Sequence, residues 1–154
     1  MGKAFFPGSF NPFTIGHADI VERALKMSDS VTIGIGYNVK KASSAENARL
    51  RMETIARLYE DDDRVEVVTY SGLTVEAVRK FGADFMVRGV RNAEDFQYEF
   101  NLAAVNKNIS GIDTFLIPTS PSLSFVSSSM VNELLENGAE EEAKKFLPHF
   151  RDKK

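Results

Sequence analysis

Residues 7–17 combine side chains and a spacing that suit the binding of a phosphate group. Their sequence is Pro-Gly-Ser-Phe-Asn-Pro-Phe-Thr-Ile-Gly-His, so a turn-forming run leads into a glycine-histidine pair. A short apolar stretch at 3–6 precedes them, as a buried strand would, and an amphipathic helical pattern follows. Between a strand and a helix, free backbone amides and the positive end of the helix dipole face the loop, which favours a bound anion. Gly8 and Gly16 let the backbone approach that ligand closely.

Two arginines form a second candidate phosphate site. Arg88 and Arg91 flank Gly89 directly after an apolar, strand-like segment. Guanidinium groups bind phosphate oxygens through paired N–H donors. Surface arginines are often only solvated, but the loop position after a strand and the turn-compatible glycine favour a functional role here.

Three consecutive serines, Ser127, Ser128 and Ser129, open the helical pattern that follows the last predicted strand. A helix cap explains one of them, whereas three hydroxyls with free helix amides form a second cradle for an oxyanion. The lysines Lys40 and Lys41 follow the second predicted strand, where an ammonium group either reaches a common cleft or is only surface charge.

The pattern of apolar residues predicts strands that alternate with helices along the whole chain. Strands are expected at 3–6, 30–36, 65–70, 84–87 and 114–117, and helices after residue 17 and at 45–60, 74–81, 92–106, 127–137 and 140–147. We therefore expect an α/β fold, a single domain over 1–154 with a Rossmann-like, doubly wound, five-stranded parallel sheet. Such sheets bind ligands beyond the carboxyl ends of their strands, which gathers the loops at 7–16, 37–44, 71–74, 88–92 and 118–127. Thr74, and Asn92 with Asp95, are expected to cap helix starts.

Composition narrows the class of protein. The 154 residues include no cysteine and two histidines, which excludes disulfides and leaves too few ligands for a zinc site. The net charge of −3 provides no global basic field, so we expect no nucleic-acid partner. No apolar run approaches the ~20 residues of a membrane span, so we expect a cytoplasmic protein without a membrane partner. The acidic run at 60–63 is expected to be a solvated turn.

The three motifs, in this order, resemble a known family. The run Pro-Gly-Ser-Phe-Asn-Pro followed by Thr-x-Gly-His resembles the T/HxGH signature of the nucleotidylyltransferase superfamily, and its PGxFxP form is similar to the phosphopantetheine adenylyltransferase family. The segment at 88–99 resembles that family's RGxR…DFxYE run, and the serines resemble its SxxSSS run. The resemblance extends over almost the whole chain.

The resemblance implies a reaction. The phosphate of 4'-phosphopantetheine would attack the α-phosphorus of ATP, giving dephospho-coenzyme A and pyrophosphate. Mg2+ would bridge phosphates, with no dedicated protein cage. The family also implies a homohexamer. His17 would stabilise the transition state and not act as a base, a role that suits an imidazole at a helix start because the dipole disfavours its cation.

The resemblance also implies roles for individual residues. Lys41 and Arg91 would be catalytic donors beside His17. ATP binding is implied for Ser9, Phe10, His17, Gly89, Val90, Arg91, Glu99, Leu123, Ser124, Phe125, Val126, Ser127, Ser128 and Ser129. Binding of the second substrate is implied for Ser9, Lys41, Thr74 and Arg88, with Lys40 in place of Lys41 if the loop is shifted.

The chain departs from the family pattern at four positions. Ser9 stands where threonine is usual, which keeps the hydroxyl, and Asn11 stands where aspartate is usual, which removes a carboxylate. Leu123 stands where a large aromatic side chain often lies, and Asn132 replaces a frequent basic residue. The departures at Leu123 and Asn132 concern the adenine pocket and one peripheral contact.

Two other functions are compatible with the same motifs. One is a different member of the superfamily, which transfers AMP or CMP to nicotinamide mononucleotide, glycerol phosphate or a related phosphate. The arginine segment and the serine run distinguish the adenylyltransferase family from those branches. The other is a regulatory module that binds nucleotide without turnover, against which His17, Arg91 and the two lysines argue.

Overall fold

The computed structural model describes residues 2–149, in which five strands alternate with six α-helices. The strands are β1 (Lys3–Gly8), β2 (Ser30–Gly36), β3 (Val65–Tyr70), β4 (Phe85–Val90) and β5 (Thr114–Pro118). The helices are α1 (Ile15–Ala24), α2 (Ser44–Leu58), α3 (Thr74–Lys80), α4 (Ala93–Ser110), α5 (Ser128–Glu136) and α6 (Glu140–Lys144), with a 3-10 turn at Pro121–Leu123.

The five strands form one parallel sheet in the order β3-β2-β1-β4-β5, so the predicted α/β fold is confirmed. The chain winds outward from β1 to β3 and then returns to pair β4 with the other side of β1. This reversal of direction is the point at which sheets of this type hold their ligands.

Strands β1 and β4 pair only at their amino-terminal halves. Their register contains two pairs, Ala4 with Phe85 and Phe5 with Met86, whereas β1 and β2 stay paired as far as Gly8. The two central strands therefore separate toward their carboxyl ends, and the separation opens a crevice at the edge where the predicted motifs lie.

Strands β1 and β2 are buried on both faces because their side chains are almost all apolar. Alternate residues of β1 point into different cores: Ala4 and Phe6 belong to the larger cluster on one face, and Phe5 to the smaller cluster on the other. Gly34 on β2 makes room for the Phe5 ring, since a Cβ atom at Gly34 would lie 2.2 Å from Phe5 Cζ. This close approach explains a glycine in the middle of a buried strand.

Three strands and one helix extend beyond their predicted ends, with β5 reaching Pro118 instead of residue 117. Strand β1 continues to Gly8, and β4 continues to Val90 because Arg88, Gly89 and Val90 pair with β5. The first arginine of the motif thus lies on a strand and not in a loop. Helix α4 continues to Ser110, where Gly111 at φ +79° provides the left-handed residue that ends it. Helix α6, expected to reach residue 147, ends at Lys144.

The predicted helix caps are confirmed at two of three positions. The Asn92 side chain accepts a hydrogen bond from the Asp95 N–H at 2.9 Å, and the Ser127 hydroxyl accepts one from the Met130 N–H at 3.0 Å. The prediction for Thr74 is wrong, because α3 is preceded by Leu73 as its N-cap and has no side-chain cap.

None of the helices within residues 2–149 is long and apolar enough to cross a bilayer. The acidic run at 60–63 lies in a turn and is exposed except at the half-buried Asp62, whose carboxylate binds Arg64 at 2.9 Å.

The packing of Phe5 on Gly34 makes a prediction for stability. The Gly34→Ala substitution should lower the free energy of unfolding by about 1–3 kcal/mol, because the added methyl group overlaps the Phe5 ring. A Phe5→Leu substitution in the same chain should recover part of that loss by shortening the opposing side chain. Urea titration of the two single variants and the double variant measures the coupling. Strictly additive losses would contradict the proposed contact.

Candidate active site

A cavity of about 290 Å3, here called the first cavity, lies at the carboxyl ends of β1 and β4. It brings together residues from all three sequence motifs. Those predicted site residues that line it are Ser9, Phe10, His17, Arg88, Gly89, Arg91, Glu99, Val126, Ser127, Ser128 and Ser129.

Two helix N-termini meet at the first cavity. Helix α1 begins at Ile15 and α5 at Ser128, and neither has an acidic residue in its first turn. By contrast, α4 carries Glu94 and Asp95 in its first turn. The two helices therefore present uncompensated positive dipole ends and free N–H groups to the cavity, which favours an anionic ligand.

Local hydrogen bonds hold the His17 ring in one orientation. The Thr14 hydroxyl accepts a hydrogen bond from the His17 backbone N–H at 3.3 Å, and the Thr14 backbone N–H donates to His17 Nδ1 at 2.9 Å. This is a capping box in which histidine takes the place of the usual glutamate or glutamine. Because Nδ1 accepts a hydrogen bond, the neutral ring carries its proton on Nε2, a tautomer assigned from this contact.

The surroundings of His17 keep the ring neutral. Three aromatic rings pack around it, Phe6, Phe10 and Phe13, with centroid distances of 6.2, 5.0 and 5.5 Å. Burial, followed by the positive charges of Arg88 and Arg91, lowers the pKa of His17 from its ordinary value of 6.5 to about 4. At neutral pH the ring is therefore an uncharged N–H donor and not a cation; burial and the two arginines account for this state, whereas the sequence argument relied on the helix dipole.

A buried ion pair fixes Arg88. Its Nε and Nη2 donate to the two carboxylate oxygens of Glu99 at 2.9 and 2.7 Å, and Nη1 donates to the carbonyl of Pro7. The Glu99 side chain is only 7% exposed. Burial alone would lower the pKa of Arg88, but the hydrogen bonds and charge of Glu99 outweigh it and raise that pKa. Arg88 thus bridges the gap between β1 and β4.

Arg91 is paired with a carboxylate on the following helix. Its Nε donates to Asp95 Oδ2 at 2.8 Å, and its backbone N–H donates to the same oxygen at 3.2 Å. The sequence suggested only a capping role for Asp95, whereas the structure shows that its carboxylate orients the arginine. The spacing of four residues across a helix start was the available signal.

The three serines have different local roles. Ser127 caps α5, and the Ser128 hydroxyl donates to the carbonyl of Pro12 at 2.7 Å. Ser129 is exposed, and its hydroxyl makes no hydrogen bond within residues 2–149. The Asn132 amide also donates to the carbonyl of Asn11 at 3.0 Å, so two of the departures from the family pattern contact each other. Helix α5 is thereby tied to the loop at 9–14.

A second cavity of about 410 Å3 adjoins the first and shares residues with it, including Ser9, Arg88 and Glu99. Its walls are otherwise largely apolar, with Leu73, Met86, Leu102 and Ala103 among them. Thr74 lines this second cavity, and its hydroxyl is hydrogen bonded to the Tyr70 hydroxyl at 2.9 Å.

The structure does not bring every predicted residue to these two cavities. Lys40 and Lys41 are exposed in the turn before α2. The first cavity is also not lined by four residues that neighbour its lining residues in sequence: Val90, Leu123, Ser124 and Phe125. Phe125 instead packs edge-on against Phe146, with a centroid distance of 5.5 Å.

Comparison with known proteins agrees with the geometry. A family model described as cytidylyltransferase-like matches residues 5–134. A phosphopantetheine adenylyltransferase from Porphyromonas gingivalis is 50% identical over 145 residues, which make up 94% of this chain and 93% of that protein. The chain belongs to the phosphopantetheine adenylyltransferase family. Another protein of this family, from Leuconostoc citreum, is 44% identical over 149 residues, covering 96% of this chain and 92% of its own length.

More distant solved structures share the fold of the family. A putative nicotinate-nucleotide adenylyltransferase from Vibrio parahaemolyticus aligns with a TM-score of 0.62 at 17% identity, over 97% of this chain and 95% of that one. A bifunctional NMN adenylyltransferase/ADP ribose pyrophosphatase from Francisella tularensis aligns with a TM-score of 0.60 at 18% identity, over 88% of this chain and 42% of that one.

The neutral state of His17 predicts a loss of stability in acid. Between pH 6.5 and about 4 the unfolded chain binds a proton at this imidazole that the folded protein excludes. The contribution of this group to the free energy of unfolding, complete above pH 6.5, should therefore fall by about 3 kcal/mol as the pH decreases to 4. Urea titrations of the unaltered protein and of His17→Asn across this pH range test the prediction, since the free energy of unfolding of the variant should fall less. Parallel pH dependences in the two proteins would contradict a neutral, buried imidazole.

The ion pair of Glu99 and Arg88 predicts a second stability effect. Glu99→Ala should lower the free energy of unfolding by about 3 kcal/mol, because it strands a partly buried guanidinium. Adding Arg88→Met removes the stranded charge, so the double variant should be more stable than Glu99→Ala alone. Chemical denaturation of both variants measures this, and a double variant less stable than the single one would disprove it.

Proposed function

We propose that the protein transfers the adenylyl group of ATP to 4'-phosphopantetheine, giving dephospho-coenzyme A and pyrophosphate. The observation that carries the proposal is the junction of two unlike cavities at Ser9 and Arg88. The first is rich in N–H donors and suits nucleotide phosphates, and the second has apolar walls that suit a long, weakly polar arm. An acceptor phosphate at the junction would lie beside the α-phosphorus of ATP.

The reaction requires alignment and neutralisation of charge more than acid–base chemistry. An acceptor phosphate oxygen forms a bond to the α-phosphorus while the bond to the bridging oxygen of pyrophosphate breaks, and the electron pair leaves with pyrophosphate. The nucleophile is already an anion, so no general base is needed. The neutral His17, with its Nε2–H donor, suits stabilisation of the charge that develops on the phosphate oxygens.

We propose that Arg91 and Lys41 add positive charge to the same transition state. Arg91 lines the first cavity, and binding of a phosphate would compete with Asp95 for its guanidinium. Lys41 is exposed in the loop that follows β2, at the same edge of the sheet, and its role requires that the side chain turn toward bound substrate. Lys40 is the alternative donor from this loop.

The donors around the first cavity fit Mg2+ only as an ion carried by the substrate phosphates. The two carboxylates that line it, Asp95 and Glu99, are each paired with an arginine. Within residues 2–149 no group of three acidic or histidine side chains is arranged to hold a metal ion. When bound, Mg2+ would offset phosphate charge during transfer.

We also propose a cytoplasmic homohexamer. Helix α4 supports subunit contacts, because it exposes two apolar pairs on opposite sides: Phe96 and Phe100, whose rings stack at 5.8 Å, and Val105 and Ile109. Exposed apolar patches are typical of protein–protein contacts. Sedimentation velocity would measure the assembly directly.

Release of pyrophosphate from matched substrate pairs tests the function. The protein should release pyrophosphate with ATP and 4'-phosphopantetheine, and release should be much slower with ATP and nicotinamide mononucleotide or with CTP and glycerol phosphate. His17→Ala should reduce turnover by at least ~100-fold with folding intact, as expected for the loss of a transition-state donor. Preference for another acceptor would assign a different member of the superfamily. Tight binding of ATP without turnover on any acceptor would indicate a regulatory module.

Arg88 allows a sharper test of how the two substrates share the site. Arg88→Ala should raise the KM for phosphopantetheine more than the KM for ATP, because this guanidinium lies where the two cavities join. Steady-state kinetics with each substrate varied in turn measures the ratio. Equal changes in both KM values would contradict an acceptor-side role for Arg88.

A further inference from the structure

Arg51, on helix α2, contacts the loop at 9–14. Its Nε donates to the carbonyl oxygen of Ser9 at 3.1 Å. Arg51 does not line the first cavity; it lines a separate groove of about 320 Å3 on the outer side of the loop, together with Phe10, Phe13 and Leu50. The sequence motifs did not point to Arg51, because it lies 42 residues from the carbonyl that it binds.

The contact acts on a strained peptide. Phe10 has φ +48°, in the left-handed region that a bulky residue rarely adopts. The residue as a whole is 3% exposed, and within residues 2–149 its backbone N–H has no hydrogen-bond acceptor. A buried main-chain donor without a partner is costly, and such donors in a binding loop are typically satisfied by the ligand.

The geometry of a peptide bond connects these two observations. In a trans peptide the C=O and the following N–H point in opposite directions in one plane. The Ser9–Phe10 peptide is trans, so a carbonyl of Ser9 directed at Arg51 places the N–H of Phe10 on the other side of the loop. Both residues line the first cavity and Arg51 does not, so we infer that the N–H points toward that cavity.

We propose that Arg51 is a positioning residue that holds the Ser9–Phe10 peptide so that the Phe10 N–H donates to a phosphate bound in the first cavity. The strained φ angle of Phe10 persists because the Arg51 hydrogen bond and the packing of the Phe10 ring hold it. The inference rests on the proposed function only in taking a phosphate as the ligand, and it does not depend on which acceptor is used.

Two substitutions at Arg51 and one matched control test the proposal, with inorganic pyrophosphate as the probe in calorimetric titrations. Arg51→Met keeps the stem but loses the donor, and it should bind pyrophosphate about tenfold more weakly. Arg51→Lys keeps a donor and should recover most of that loss. Arg49→Ala, on the same helix, removes an exposed arginine that pairs with Glu46 and Glu53, and binding should be unchanged. Equal binding by Arg51→Met and the unaltered protein would overturn the proposal.

Varying the salt concentration distinguishes a positioning role of Arg51 from a simple loss of its positive charge. A contribution from long-range charge is screened at high ionic strength, whereas a misplaced amide is not. The ratio of affinities between the unaltered protein and Arg51→Met should therefore be the same at about 0.05 M and about 0.5 M salt. A ratio that falls to one at high salt would overturn the positioning role.

A measurement on the unaltered protein covers the case in which Arg51→Met does not fold. The backbone amide resonance of Phe10 should shift when pyrophosphate is added, and an unperturbed Phe10 resonance at saturation would overturn the proposal. The acceptor panel stays a separate test. If the protein prefers another acceptor, the proposed function is wrong, but the pyrophosphate measurements still decide the role of Arg51.

Discussion

The separation of β1 from β4 is the structural feature on which the site depends. Hydrogen bonds between these strands end after Phe5 and Met86, and the guanidinium of Arg88 spans the gap by binding both Pro7 and Glu99. Without this bridge, polar backbone groups at the split would be left without protein partners. The first cavity and the second cavity lie along this gap and share Arg88 as a common wall.

The charges of the site are balanced before any ligand arrives. Arg88 and Arg91 are each paired with a carboxylate, and the one imidazole in the first cavity is neutral. The uncompensated positive character of the crevice therefore comes from the two helix N-termini, in a chain whose net charge is −3. The carboxylate partners avoid the penalty of keeping unpaired cations in the crevice before a ligand binds.

Support for the crevice comes from elements distant in sequence. Ser128 and Asn132 on α5 bind the carbonyls of Pro12 and Asn11, and Arg51 on α2 binds the carbonyl of Ser9. Each contact joins a side chain on a regular helix to a main-chain oxygen in the loop at 9–14. The loop is thereby held in a strained shape by rigid neighbours, as precise binding loops commonly are.

The sequence by itself determined the alternation of strands and helices, the parallel sheet and the three motifs at its carboxyl edge, because apolar periodicity and turn residues are local signals. It also indicated a neutral His17, since the helix start lies within the same motif. Only the tertiary structure decided that Arg88 lies on a strand and that the carboxylates of Glu99 and Asp95 pair with the two arginines. It also decided that the Thr74 hydroxyl bonds to Tyr70 and caps no helix, and that Arg51 reaches the carbonyl of Ser9. Those outcomes depend on which strands become neighbours and where their hydrogen bonds stop, and side-chain partners across such a gap leave no periodic pattern in the chain.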